Sequence, residues 1–174
     1  MGKNIELKSR LGDLAEARKI LATLEARYVG CQEQIDTYFR VGQGRLKLRQ
    51  INGLQAELIW YDRPDQPQAR CSLYYRAPVA NPETVKTVLA AALGIRGVVQ
   101  KRREIFLWQN VRIHLDELPG MGTFLEFEAM LGPDQGEAEA QTQLAHLVQI
   151  FHIQSEDLLA GSYADLKEEK LPSR

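Results

Sequence analysis

The chain has 174 residues, 44% of them apolar and 26% charged, with a formal net charge of −1. These totals describe an ordinary globular chain, long enough to bury about two-thirds of its unfolded surface around one core; they exclude a disordered polymer and a generally basic nucleic-acid binder. No apolar run approaches the roughly 18–20 residues that span a bilayer. Cys31 and Cys71 stand far apart with no metal-ligand spacing, so the expectation is a reduced, cytoplasmic, non-membrane protein forming one domain over residues 1–174.

Residues 3–10 alternate as a strand, with Asn4, Glu6 and Lys8 on one face and Ile5 and Leu7 on the other. Between Gly12 and Gly30, Leu14, Ala17, Ile20, Leu21 and Leu24 fall at helical spacing, and Gly30 stands beyond the expected C-terminal end. Residues 33–41, 44–51, 56–63 and 70–79 read as four strands separated by short turn-rich pieces, which predicts an antiparallel meander. Asn81 as N-cap and Pro82 at the first helical position start a second helix, running to about Leu93 before Gly94. Three more strands follow over 97–108, 111–118 and 123–131, giving eight in total. A third helix is expected from Gly136 to about His152, and residues 155–170 read as one or two short helical turns before a charged tail.

The polar faces of these strands are sorted by sign. Arg45, Lys47 and Arg49 share one face of "RLKLR", and Lys101 and Arg103 share one face of "QKRR". Arg112, His114 and Asp116 face together, as do Phe124, Glu126 and Glu128. Same-face neighbours lie about 6.6–6.8 Å apart, so like charges repel unless an opposite charge sits between them. Taken singly, each segment has a plainer reading: a solvated edge strand, a solubility patch, outward-facing acids, a structural histidine. Four strands with sorted charge weigh against those plainer readings, and an antiparallel sheet of eight strands can close into a barrel whose inward side chains alternate with outward ones. Its inward basic set would meet a polyanion, and its acidic set (Glu6, Asp116, Glu126 and Glu128) would hold a hard divalent cation. A triphosphate with its metal satisfies both.

These segments resemble the CYTH superfamily of triphosphate tunnel metalloenzymes, which includes class IV adenylyl cyclases and thiamine triphosphatases. The resemblance rests on Asn4-Ile5-Glu6-Leu7-Lys8 in place of an N-terminal ExExK strand, on Gln34–Phe39, Leu46–Arg49, Lys101 with Arg103, and His114–Glu128. It implies an α+β fold, a closed eight-stranded antiparallel β-barrel flanked by helices, whose tunnel binds phosphate through Lys8, Arg45, Lys47, Arg49, Lys101 and Arg103, with Arg63 and Arg76 as looser matches. Glu6, Asp116, Glu126 and Glu128 would bind Mg²⁺ or Mn²⁺. Glu6, Glu126 and His114 form the implied catalytic set, with His114 contacting a terminal phosphate or moving a proton. Tyr61 stands where the family often has a lysine, and Asn4 replaces the first motif glutamate. The expected activity is metal-dependent hydrolysis of an inorganic or organic triphosphate by a monomer or homodimer. The alternatives are cyclization of ATP to cyclic AMP and pyrophosphate, and non-catalytic binding of polyphosphate or nucleotide.

Overall fold

The computed structural model describes residues 1–132 and 135–169. Eight strands, β1 (Gly2–Leu11), β2 (Arg27–Phe39), β3 (Arg45–Ile51), β4 (Gln55–Asp62), β5 (Arg70–Pro78), β6 (Ile95–Trp108), β7 (Val111–Leu118) and β8 (Gly122–Met130), close into a barrel. Around the barrel the order is β1-β5-β4-β3-β2-β6-β7-β8, and every pairing is antiparallel. The predicted meander β2–β5 is joined to the hairpins β6–β8 by the β2–β6 ladder, and β1 closes the seam between β5 and β8. Helices α1 (Leu14–Thr23), α2 (Pro82–Leu93), α3 (Glu137–Ile150) and α4 (Tyr163–Glu169) flank it, with a 3-10 turn at Ser155–Asp157. None of the helices among the described residues is long and apolar enough to cross a membrane.

The helix ends follow local chemistry. The Asp13 carboxylate accepts from the Ala15 and Glu16 amides at 2.7 and 3.3 Å and starts α1. Asn81 caps α2 through the Thr84 amide, with Pro82 next in line. One boundary departs from the sequence pattern. α1 stops at Thr23, because Glu25 itself takes a left-handed φ of 53° and the Ala26 amide closes the last turn on the Leu21 carbonyl at 3.0 Å. The chain from Arg27 then pairs with the far end of β6, as Arg27↔Leu107, so β2 starts at Arg27 and not near Glu33. Gly30, with φ 152°, sits where the register shifts after Tyr28, a bulge in place of a helix stop. The last segment resolves into the 3-10 turn and α4; Lys170 and the charged tail lie outside the described residues.

The main core lies outside the barrel. Ile5, Leu7, Ile113, Leu115, Leu125 and Phe127 point outward from β1, β7 and β8 and pack beneath Ala17 and Leu21 of α1 and Ala140, Leu144 and Leu147 of α3. Each such side chain contributes about 1.5–3 kcal/mol on burial. A second apolar cluster fills one end of the barrel: Tyr38, Val99, Leu118 and Phe124 from the strands meet Leu159, Tyr163, Ala164 and Leu166. α4 therefore stops that end. Toward the other end the barrel stays open, and its inward positions are mostly polar with Ile51, Ile59 and Ile105 among them.

Candidate active site

Alternation along the strands turns one set of charged positions into the barrel, where they line a cavity of about 340 Å³. Asn4, Glu6 and Lys8 come from β1, Lys47 and Arg49 from β3, and Lys101 and Arg103 from β6. β7 supplies Arg112 and His114, and β8 supplies Glu126 and Glu128. Eight basic side chains and four acidic ones face this space. Ser162 and Tyr163 line it from the α4 side, at the closed end.

Two buried carboxylates pin the basic wall from beneath. Asp36, 1% exposed, receives Arg49 through both of its oxygens at 2.7 Å and Lys47 at 3.0 Å, with the Lys101 ammonium 3.7 Å away. Asp116, fully buried, receives Arg103 at 2.6 and 2.5 Å and the Tyr163 hydroxyl at 2.7 Å. Burial alone would raise the Asp36 carboxyl, but Arg49 and Lys47 outweigh it and hold it well below the usual carboxylate range. The same balance, led by Arg103, lowers Asp116. The lysines move the other way. Burial and the Arg49 guanidinium bring Lys47 down to about 8, and burial with Arg103 lowers Lys101 well below its ordinary value. Lys8 sits 4.0 Å from the centre of the Tyr163 ring, so the floor also holds a cation.

The acidic corner lies on β1, β7 and β8. Glu126 meets the Lys8 ammonium at 3.1 Å and the Arg103 guanidinium at 2.5 Å. The antiparallel register sets His114 opposite Glu126, and donor atoms of His114, Glu126 and Glu128 all lie within 4.8 Å of one another. Burial and Arg103 hold the imidazole below its ordinary pKa against the opposing pull of Glu128 and Glu126. Glu6 is turned toward arginines: its Oε1 is 2.9 Å from Arg63 Nε and 3.5 Å from an Arg70 nitrogen. Burial raises the Glu6 carboxyl, Arg63 pulls it back, and Glu126 adds to the rise. His114 Nδ1 and Asn4 Oδ1 are buried without a hydrogen-bond partner among the described residues. Orphaned donors of this kind beside two carboxylates fit a divalent cation.

Glu6, Lys8, Lys47, Arg49, Arg63, Arg76, Lys101, Arg103, His114, Glu126 and Glu128, all singled out in the sequence, converge on this one cavity. Two others do not line it. Arg45 shares the parity of Lys47 but lies at the stopped end, where it is bonded to Asp65 and Asp165. Asp116, expected among the metal ligands, lies under the wall with its oxygens taken by Arg103 and Tyr163. Arg76 stands half exposed and paired with Glu57. Sequence reasoning missed Asp36, Arg70 and Tyr163. The alternation of Gln34, Asp36 and Tyr38 could have flagged Asp36. Tyr163 arrives from a helix remote in sequence and carried no such signal.

Comparison with known proteins agrees with this geometry. No curated protein matches the chain. Among solved structures, the PH1012 protein of Pyrococcus horikoshii superposes with a TM-score of 0.83 at 23% identity, over 94% of this chain and 98% of its own. A candidate adenylate cyclase from Vibrio parahaemolyticus gives 0.76 at 22% identity, over 95% and 97%. HpAC1 from Hippeastrum, a candidate adenylyl cyclase with a dominant triphosphatase activity, gives 0.69 at 16% identity over 97% of each chain. Identities this low establish a common fold. The model of the CYTH domain family matches residues 2–163, nearly the whole chain. With its closed eight-stranded barrel and inward charged face, this chain belongs to the CYTH domain family.

Proposed function

We propose that this protein hydrolyses a triphosphate, inorganic or organic, with a divalent cation inside the barrel. The observation that carries this reading is a basic wall, pinned from beneath by Asp36 and Asp116, facing the His114–Glu126–Glu128 corner across one cavity. Phosphoryl transfer asks little covalent chemistry of a protein; it needs alignment and charge placed where the transition state develops it. Lys8, Lys47, Arg49, Lys101 and Arg103 supply that charge. Because the carboxylates beneath already fix Arg49 and Arg103, these groups need little reorganisation when phosphate arrives.

Glu126, Glu128 and His114 would hold the cation, which supplies Lewis-acid polarisation of phosphoryl oxygens when bound. With one end stopped by Tyr163, a phosphate chain enters from the open mouth and its terminal phosphoryl group lies deepest, against Lys8 and Lys101. Water attacks that phosphorus in line with the leaving bridging oxygen, and the basic wall takes up the charge that develops on the leaving phosphate. Fold-level analogy supports the same direction, since a protein of this fold from Hippeastrum has a dominant triphosphatase activity.

The test is incubation with tripolyphosphate, thiamine triphosphate or ATP, each with Mg²⁺ or Mn²⁺, followed by assay of phosphate, pyrophosphate and cyclic AMP. Release of orthophosphate is expected. Formation of cyclic AMP and pyrophosphate would replace the hydrolase with a cyclase, and binding without turnover would replace both with a binding protein.

A further inference from the structure

Three of the four carboxylates expected around the cation meet an arginine, but of those three only Glu126 also has a donor atom within 4.8 Å of both His114 and Glu128. Asp116 gives both oxygens to Arg103 and one to Tyr163, beneath the cavity wall. Glu6 is drawn toward Arg63 and Arg70. We propose that the divalent-cation site of this protein is a mixed nitrogen and oxygen site, built by His114, Glu126 and Glu128 with the Asn4 amide oxygen as fourth donor. It selects a first-row transition dication such as Mn²⁺ over Mg²⁺. This inference rests on the metal-dependent reading above and adds to it which residues ligate and which class of ion they prefer.

Register builds the site. His114 and Glu126 are direct partners across β7 and β8, and Glu128 is the next residue on the same face. Donor atoms on one ion, each at about 2.0–2.2 Å, lie at most about 4.4 Å apart. Three donors cannot all be trans to one another, and spread evenly around one ion they lie at most about 3.8 Å apart. Separations within 4.8 Å therefore close onto an ion with side-chain shifts of up to about 1 Å. Two buried atoms point to a missing partner. His114 is 3% exposed, and its Nδ1 is 3.5 Å from the nearest Glu126 oxygen, too long for a hydrogen bond. Asn4 is 5% exposed, lines the same cavity, and leaves its Oδ1 unpaired among the described residues. Such atoms are rarely left bare in a folded protein.

Charge and softness then choose the ion. Two carboxylates balance one dication, while the imidazole and the amide add donors without charge. Lys8 and Arg103 also reach Glu126, but a carboxylate has about four lone-pair sites and can serve them and an ion together. Mg²⁺ demands oxygen ligands in near-ideal octahedral geometry and sheds water reluctantly, whereas imidazole suits the transition dications.

The experiment uses the full chain and metal alone, with no triphosphate. Loss of the free Mn²⁺ electron paramagnetic resonance signal measures binding, and pulsed spectra report any ¹⁴N nucleus coupled to the bound ion. The expected result is one Mn²⁺ with histidine ¹⁴N coupling, displaced by Mg²⁺ only at about tenfold or greater excess. His114→Ala should abolish the coupling and weaken Mn²⁺ by at least about tenfold; Asn4→Ala should weaken it less. The wild-type ¹⁴N spectrum decides the question even if a variant fails to fold. Bound Mn²⁺ without ¹⁴N coupling, equal affinity for Mg²⁺, or no binding to the free protein would each overturn the proposal. Turnover is not read, so an inactive protein with coupled Mn²⁺ sinks the hydrolase reading alone, and an active protein with an all-oxygen site sinks this one alone.

Discussion

β7 and β8 carry opposite chemistries on their two faces. Outward, Ile113, Leu115, Leu125 and Phe127 form the packed core beneath α1 and α3; inward, His114, Asp116, Glu126 and Glu128 are charged or titratable. A soluble barrel that held its core inside would show the reverse. Here the helices relieve the interior of its packing duty, and the same alternation that builds a core on one side builds a site on the other. The inner face is itself layered. Asp36 and Asp116 lie beneath the cavity wall and hold the basic groups in place, whereas Glu126 and Glu128 line the cavity.

Substitutions on the two faces should separate stability from activity. The largest loss of stability is expected for Phe127→Ala, about 3–5 kcal/mol in denaturant unfolding, because it opens a void in the outer core. Asp36→Asn should cost nearly as much, about 3–5 kcal/mol by the same measurement, since it leaves Lys47, Arg49 and Lys101 crowded without their buried anion. A small effect there would remove the distinction between the buried layer and the cavity-lining layer. Glu126→Gln should cut turnover at least about a hundredfold while destabilising less than Asp36→Asn, because Arg103 keeps Asp116 and only Lys8 loses its anion. If it lost cooperative unfolding instead, the inner face would be structural throughout.

Smaller effects test the basic wall. Lys47, brought down to about 8, is an ammonium at pH 7 and largely neutral at pH 9. Affinity for tripolyphosphate, measured by calorimetry, should therefore fall about tenfold as pH rises across that window, the loss of one charge-assisted contact. Lys47→Arg, which stays charged throughout, should remove the Lys47 share of that fall and leave the part carried by Lys101, whose ammonium is also lowered by burial and Arg103. Arg76→Ala, half exposed beside Glu57, should raise the KM by no more than about threefold.

Much of this was legible in the sequence because the side-chain period of a strand is two. Parity alone assigns Glu6, Lys8, Lys47, Arg103 and Glu126 to one face, and closure of the sheet brings that face together. Depth along the barrel is what parity does not encode. Arg45 shares the parity of Lys47 yet ends at the stopped end, and Asp116 shares that of His114 yet ends under the wall. At the open end, carboxylates such as Glu126 line the cavity while still meeting cations of the protein. Depth is set by which end α4 stops. That contact joins residues near 160 to β1, as in the Leu159 amide bonded to the Lys8 carbonyl at 2.9 Å, and no local pattern announces it. The early start of β2 was hidden for a similar reason. Gly30 reads as a helix stop until the length of β6 supplies a partner for Arg27 and Tyr28.

The central claim, that the inward face is a triphosphate site held by pinned cations, meets its most direct test in calorimetric titration with tripolyphosphate. The account predicts one equivalent bound, an affinity that falls as salt rises, and a loss of at least about tenfold in Lys8→Gln, which removes a cavity cation without disturbing Asp36 or Asp116. No binding, or binding that Lys8→Gln leaves unchanged, would contradict it.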